Sequence, residues 1–121
     1  MPRILVVDDH ADIRRLLSVT LGREFEIAEA ENGTSALEAI LHHRPDVVLL
    51  DVMMPGEIDG LRVLELIKGD PKTRDILVAM ITARGQAEDS ERARARGADA
   101  YFIKPFSPLQ LVAAIKETLS T

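Results

Sequence analysis

Short apolar runs and helix-spaced apolar stripes take turns along this chain. Arg3-Ile4-Leu5-Val6-Val7 is rich in β-formers and closes on Asp8-Asp9, which predicts a strand. Ile13, Leu16, Leu17 and Leu21 are spaced for one face of a helix, and Gly22 punctuates its end. From Phe25 to Ala30, Phe25 and Ile27 alternate with Glu26 and Glu29, a weaker strand. Asn32-Gly33 is expected to turn the chain. Ala36, Leu37, Ile40 and Leu41 give a second helical stripe, stopped before Pro45.

Asp46-Val47-Val48-Leu49-Leu50-Asp51 is an unbroken apolar run between two acids, as in a parallel strand covered on both faces. Met54-Pro55-Gly56 reads as a loop. A third helix follows with Leu61, Leu64 and Ile67 inward, ending at Gly69-Asp70-Pro71. Ile76 to Thr82 is a fourth strand. Gln86 to Arg96 reads helical, but its only apolar residues are alanines, so it buries little and is expected to be marginal. Gly97-Ala98-Asp99 leads into a fifth strand, Ala100 to Ile103, broken at Lys104-Pro105. Ser107 suits an N-cap with Pro108 at the first helical position. Leu109, Val112, Ile115 and Leu119 form the last stripe. Five strand-helix units with no linker predict an α/β fold: one (βα)5 domain over residues 1–121. Its five-stranded parallel sheet is doubly wound, with helices on both faces and right-handed crossovers.

Composition narrows the function. Of 121 residues, 46% are hydrophobic but only 3% aromatic, so the core must be aliphatic. The absence of cysteine excludes disulfides, thiolate catalysis and Cys-based zinc sites. The apolar runs at Val47 to Leu50 and Ile76 to Ile81 fall far short of a membrane span. Met1-Pro2-Arg3 leads straight into the first strand without a signal-peptide layout. A soluble, cytoplasmic chain with a native N-terminus is expected. The formal net charge of −5 argues against direct nucleic-acid binding, which needs a basic surface.

Ligands of parallel α/β sheets bind beyond the carboxyl ends of the strands. Those ends carry Asp8 and Asp9 on the first strand, Asp51 on the third, Thr82 on the fourth and Lys104 on the fifth. Each has an ordinary explanation alone: Asp8 or Asp9 as a helix cap, Asp51 as a strand terminator, Thr82 as a strand residue, Lys104 as a solvated cation. Their meeting at one sheet edge is what carries meaning. Two carboxylates about 4 Å apart repel by roughly 4 kcal/mol at an effective dielectric near 20. A hard divalent cation relieves this, and Mg2+ suits one or two carboxylates plus waters and phosphate. An aspartate beside such an ion can accept a phosphoryl group, with Lys104 and the metal neutralising the transferring charge.

The pieces Ile4-Leu5-Val6-Val7-Asp8-Asp9, Asp46 to Asp51 with Met54-Pro55, Asp59-Gly60, Ile81-Thr82-Ala83, Gly97-Ala98 and Lys104-Pro105-Phe106 resemble the receiver domain of two-component response regulators. The resemblance covers essentially the whole chain and is similar to the chemotaxis-type single-domain regulators. It implies a flavodoxin-like strand order of 2-1-3-4-5. It implies Asp51 as phosphoryl acceptor, Asp9 as direct metal ligand, Asp8 acting through water, and the Met53 backbone carbonyl as a further ligand. Mg2+ is the implied cofactor, with Mn2+ as a substitute. Thr82, Lys104 and the Ala83 amide are implied phosphoryl contacts, Thr82 and Tyr101 the switch pair, and Lys104-Pro105 a cis peptide. The implied partners are a sensor histidine kinase or phosphotransfer protein, and a downstream protein or fused output domain. Phosphorylation would remodel the surface of the fourth helix, fifth strand and fifth helix. No nucleic-acid or membrane contact is expected of this chain, and no turnover of an external substrate.

Two departures stand out: the Met54 to Gly60 loop is one residue longer than the commonest form, and Leu77 stands where Pro is usual. Met53 and Arg84 flank the expected site and are read as tuning water access. Met53 also stands where magnesium phosphohydrolases carry a second acid, which disfavours that enzyme reading. A flavin or nucleotide carrier would want glycine in Val7-Asp8-Asp9-His10, and there is none. A degenerate, binding-only receiver would not need the intact set. His10, His42-His43 and the Arg92, Arg94, Arg96 series read as solvated residues.

Overall fold

The computed structural model describes all residues except 55, 57, 84–86, 105 and 121; of residues 83 and 87–90 it describes the backbone only. Strands and helices alternate strictly: β1 Arg3–Val7, α1 Ala11–Leu21, β2 Glu26–Ala30, α2 Gly33–His43, β3 Val47–Asp51, α3 Gly60–Gly69, β4 Leu77–Ala83, α4 Ala87–Ala95, β5 Ala100–Lys104 and α5 Pro108–Ser120. The sheet order is β2-β1-β3-β4-β5, with parallel pairing throughout. The fold class and strand order are those expected. β4 is shifted one residue along from the expected Ile76 to Thr82, and β5 runs one residue further than expected.

Side chains alternate across a strand, and this divides the core in two. Leu5, Val7, Val48, Leu50, Val78 and Met80 pack on one face beneath α2 and α3, with Ala93 of α4. Ile4, Val6, Val47, Leu49, Ala79 and Ile81 face the other way, against Leu17 and Leu21 of α1 and Leu111 and Ile115 of α5. The run Val47 to Leu50 is unbroken because both of its faces are covered, and all four residues are buried.

Several expected stripe residues face solvent. Leu16, Leu41 and Leu109 are exposed, whereas Leu17, Ile40 and Leu111 are buried. Successive helical residues lie about 100° apart, so only one of two adjacent leucines can face the sheet. In α5 the buried pair is Leu111 and Ile115, one turn apart. Asn32-Gly33 is not a free turn. Asn32 is the N-cap of α2, accepting from the Ser35 N–H while Ser35 returns a bond to the Asn32 N–H, a capping box. Arg44 ends α2 in the left-handed region at φ 32°, before Pro45. Ser107 behaves as expected, its Oγ accepting from the Gln110 N–H at 3.4 Å.

Candidate functional site

β1 delivers Asp8 to the sheet edge, and three contacts fix it. Its N–H donates to the Ala30 carbonyl at 3.2 Å. Its carbonyl accepts from Arg14 Nη1 at 2.7 Å, and the Arg14 Nε lies 3.4 Å from Glu29 Oε1. Its carboxylate Oδ1 accepts the His10 N–H at 2.9 Å. Arg14, one turn into α1, therefore ties the β1–α1 connection to the end of β2. Nothing in the apolar pattern marks this role.

β3 delivers Asp51, which pairs in register with Ile81 of β4. The chain then hugs the sheet, with the Val52 N–H donating to the Ile81 carbonyl at 2.8 Å and the Gly60 N–H to the Val52 carbonyl at 3.1 Å. α3 starts where it does because Asp59 caps it, accepting from the Arg62 N–H at 2.9 Å. Gly60 permits the approach: a Cβ there would lie 2.0 Å from the Asp51 carbonyl oxygen. This is the physical content of Asp59-Gly60.

Lys104, at the end of β5, bridges two acids. Its Nζ lies 3.1 Å from Asp8 Oδ2 and 3.5 Å from Asp51 Oδ2. Asp8 is 1% and Asp51 4% exposed, so these charges face each other with little water between them. Burial pushes the Asp51 carboxyl up to about 6, with repulsion from Asp8 adding and Lys104 opposing. Burial works against the Lys104 ammonium, yet attraction to Asp51 and Asp8 outweighs it and holds its pKa above the usual value. The Met53 N–H also donates to Asp51 Oδ1, at 3.3 Å.

Asp9 completes the acidic group, with oxygen or nitrogen atoms of Asp8, Asp9, His10 and Asp51 all within 4.8 Å of one another. His10 is the N-cap residue of α1, and its side chain is exposed, as expected, at the edge of the acidic group. Its Nδ1 stands 3.0 Å from Asp8 Oδ1 and 3.2 Å from Asp9 Oδ1. A hydrogen bond to Asp8, then the charges of Asp9 and Asp8, raise its pKa. Among the described residues three buried side-chain oxygens have no hydrogen-bond partner: Asp9 Oδ1, Thr82 Oγ1 and Ser18 Oγ of α1. Unmatched buried oxygens are costly, and the first two of these belong to the expected set. An oxygen-rich donor group with an unmatched carboxylate oxygen fits a hard divalent cation.

Thr82 follows Ile81 on β4 and pairs with Ile103, while Ala83 pairs with Lys104. Tyr101 pairs with Met80 and is half-buried against the face carrying α2 and α3. Met53 presents an exposed side chain. The cis peptide expected at Lys104-Pro105 and the tuning role of Arg84 fall outside the described residues. No described helix is long and apolar enough to cross a membrane.

Residues 4–116 match the family described as the response regulator receiver domain. The phosphate regulon transcriptional regulatory protein PhoB of Klebsiella pneumoniae is 47% identical over 118 residues, covering 97% of this chain and 51% of that protein. The transcriptional regulatory protein ResD of Bacillus subtilis is 43% identical, covering 97% of this chain and 48% of that protein. The chain thus spans about half the length of these curated relatives. Among solved structures, the receiver domain of NtrX from Brucella abortus superposes with a TM-score of 0.91 at 37% identity, covering 98% of each chain. The chemotaxis response regulator CheY4 of Vibrio cholerae gives 0.89 at 28% identity, again covering 98% of each. The chain belongs to the response regulator receiver domain family, whose members accept a phosphoryl group on an aspartate from histidine kinases in phosphorelay signalling.

Proposed function

We propose that Asp51 is the acceptor, and that residues 1–121 act as one receiver unit. The observation that carries this is the Lys104 ammonium between Asp8 and Asp51, which sets a fixed cation beside the one aspartate that ends a fully buried strand. A carboxylate oxygen of Asp51 attacks the phosphorus of a phosphohistidine. The P–N bond breaks, its electron pair stays on the imidazole, and that nitrogen takes a proton from water. Lys104 and the Thr82 hydroxyl contact the phosphoryl oxygens, with the Ala83 amide; the unmatched Thr82 Oγ1 supports that assignment.

Asp8, Asp9, Asp51 and the Met53 carbonyl would hold Mg2+, or Mn2+ in its place, and the ion would supply charge neutralisation at the phosphoryl group. In the switch, Thr82 draws toward the phosphoryl oxygens and Tyr101 turns into the space it leaves. α4, with no large apolar side chain, shifts readily in response. The kinase or phosphotransfer donor is cytoplasmic in this reading, and the readout is a downstream protein or a fused output domain. The chain turns over no external substrate. Borohydride reduction after acetyl phosphate treatment tests the assignment. Peptide mass mapping should then place a reduced residue at position 51, and reduction at Asp8 or Asp9 instead would reject it.

A further inference from the structure

We infer that His10 is a further protein ligand of this metal site, through Nδ1, for borderline divalent ions such as Zn2+, and that Mg2+ leaves the ring out. The inference rests on the proposed metal site and deepens it. Tetrahedral ligands, each about 2.0–2.1 Å from Zn2+, lie about 3.3 Å apart. His10 Nδ1 stands 3.0 Å from Asp8 Oδ1, a hydrogen bond, and 3.2 Å from Asp9 Oδ1, within a few tenths of an ångström of that spacing, so that Zn2+ would take the place of the proton the ring shares with these carboxylates. An Asp51 oxygen falls within the same 4.8 Å group. The two carboxylate oxygens and the ring nitrogen can therefore cap one face of an ion with small movements.

The arrangement is held from below. The His10 N–H donates to the same Asp8 Oδ1 at 2.9 Å, so the ring and that carboxylate stay on one side of the loop. Asp9 Oδ1 has no aligned donor of its own and is left for a cation. The other edge of Asp8 is occupied by Lys104 at 3.1 Å, so Oδ1 is the carboxylate oxygen on the His10 side. Imidazole suits Zn2+, Ni2+ and Cu2+, whereas Mg2+ holds oxygens and keeps its waters. His10 thus sets which ion the site prefers, and a transition ion seated on it competes with Mg2+.

Calorimetric titration of the whole chain with Zn2+ and, separately, Mg2+ reads this preference. In His10→Ala the ratio of Zn2+ to Mg2+ affinity should fall at least about tenfold. The double variant His42→Ala, His43→Ala should keep the wild-type ratio. In 15N spectra, Zn2+ should move the His10 Nδ1 resonance and Mg2+ should not. An unchanged ratio in His10→Ala, or a Zn2+ response confined to His42 and His43, would overturn the role of His10 while Mg2+ binding left the phosphorylation site standing. Failure of both ions to bind the wild type would overturn the metal site and this inference together.

Discussion

Gly60 and Asp51 meet backbone to backbone: a Cβ on Gly60 would lie 2.0 Å from the Asp51 carbonyl oxygen and 2.8 Å from the Val52 Cα. Neither atom is the tip of a flexible side chain, so a methyl group there must displace the strand end that carries the acceptor. Gly60→Ala should cost about 1–3 kcal/mol in urea denaturation, the usual cost of overpacking. It should also slow phosphorylation of the molecules that remain folded. Gly69→Ala is the comparison, because a Cβ at Gly69 meets nothing within 4 Å. That variant should be neutral or slightly stabilising. Equal behaviour of the two would mean that Gly60 does not set the position of Asp51.

The Asp51 carboxyl, at about 6, lies above the usual aspartate value of about 3.9. The folded protein therefore binds this proton more readily than the unfolded chain. The contribution to stability is fully present below about pH 4 and is lost as pH rises through about 6. Without divalent ions, Asp51→Asn should be more stable than wild type at pH 7 by roughly 1–3 kcal/mol. The gap should close on acidification to about pH 4. Urea curves for both proteins across that range measure it, and a gap that stayed constant with pH would contradict the burial and repulsion assigned to Asp51.

Mg2+ should stabilise the wild type, since the ion offsets the repulsion among Asp8, Asp9 and Asp51. At a hundred times its dissociation constant, a ligand specific to the folded state adds about 2.7 kcal/mol. Asp9→Asn should lose most of this gain while folding normally without the ion. Scanning calorimetry with and without Mg2+ reads both numbers. An Asp9→Asn protein that gained as much as wild type would remove Asp9 from the ligand set.

An ion pair ties Arg96, the residue that follows α4, to Glu65 of α3. Arg96 Nε lies 2.6 Å from Glu65 Oε1, and Arg62 Nη1 3.2 Å from Glu65 Oε2. The Arg96 hydrogen bond holds the Glu65 carboxyl below its usual range. Ala93 of α4 is buried in the core. Glu65→Gln should raise amide hydrogen exchange at residues 91–96 several-fold while leaving α3 and β4 protected. Exchange that rose evenly across the molecule would instead indicate global destabilisation.

The sheet, its order of elements and the convergence of Asp8, Asp9, Asp51 and Lys104 were legible because hydrophobic runs such as Val47 to Leu50 end in polar residues. Strand ends in a parallel sheet share one edge, so a linear pattern becomes a spatial one. The strand order itself came from the receiver resemblance. Finer features were not legible. Leu16 and Leu17 are equally apolar, and only the angle of α1 on the sheet decides which is buried. Asn32-Gly33 carries turn residues that also make a helix cap, and Ser35 decided between them. The role of Gly60 depends on a contact with Asp51 nine residues earlier, and that of Arg14 on a carbonyl at Asp8; neither leaves a periodic signal. His10 is exposed, as its sequence context suggested, but nothing in the sequence says that its ring turns toward Asp8 and Asp9.

The most direct measurement is the intact mass of the chain after incubation with acetyl phosphate, with and without Mg2+, for wild type and Asp51→Ala. The acceptor role of Asp51 requires one added phosphoryl group on the wild type that depends on Mg2+ and is absent from the variant. An adduct that persisted in Asp51→Ala, or formed equally without a divalent ion, would contradict it.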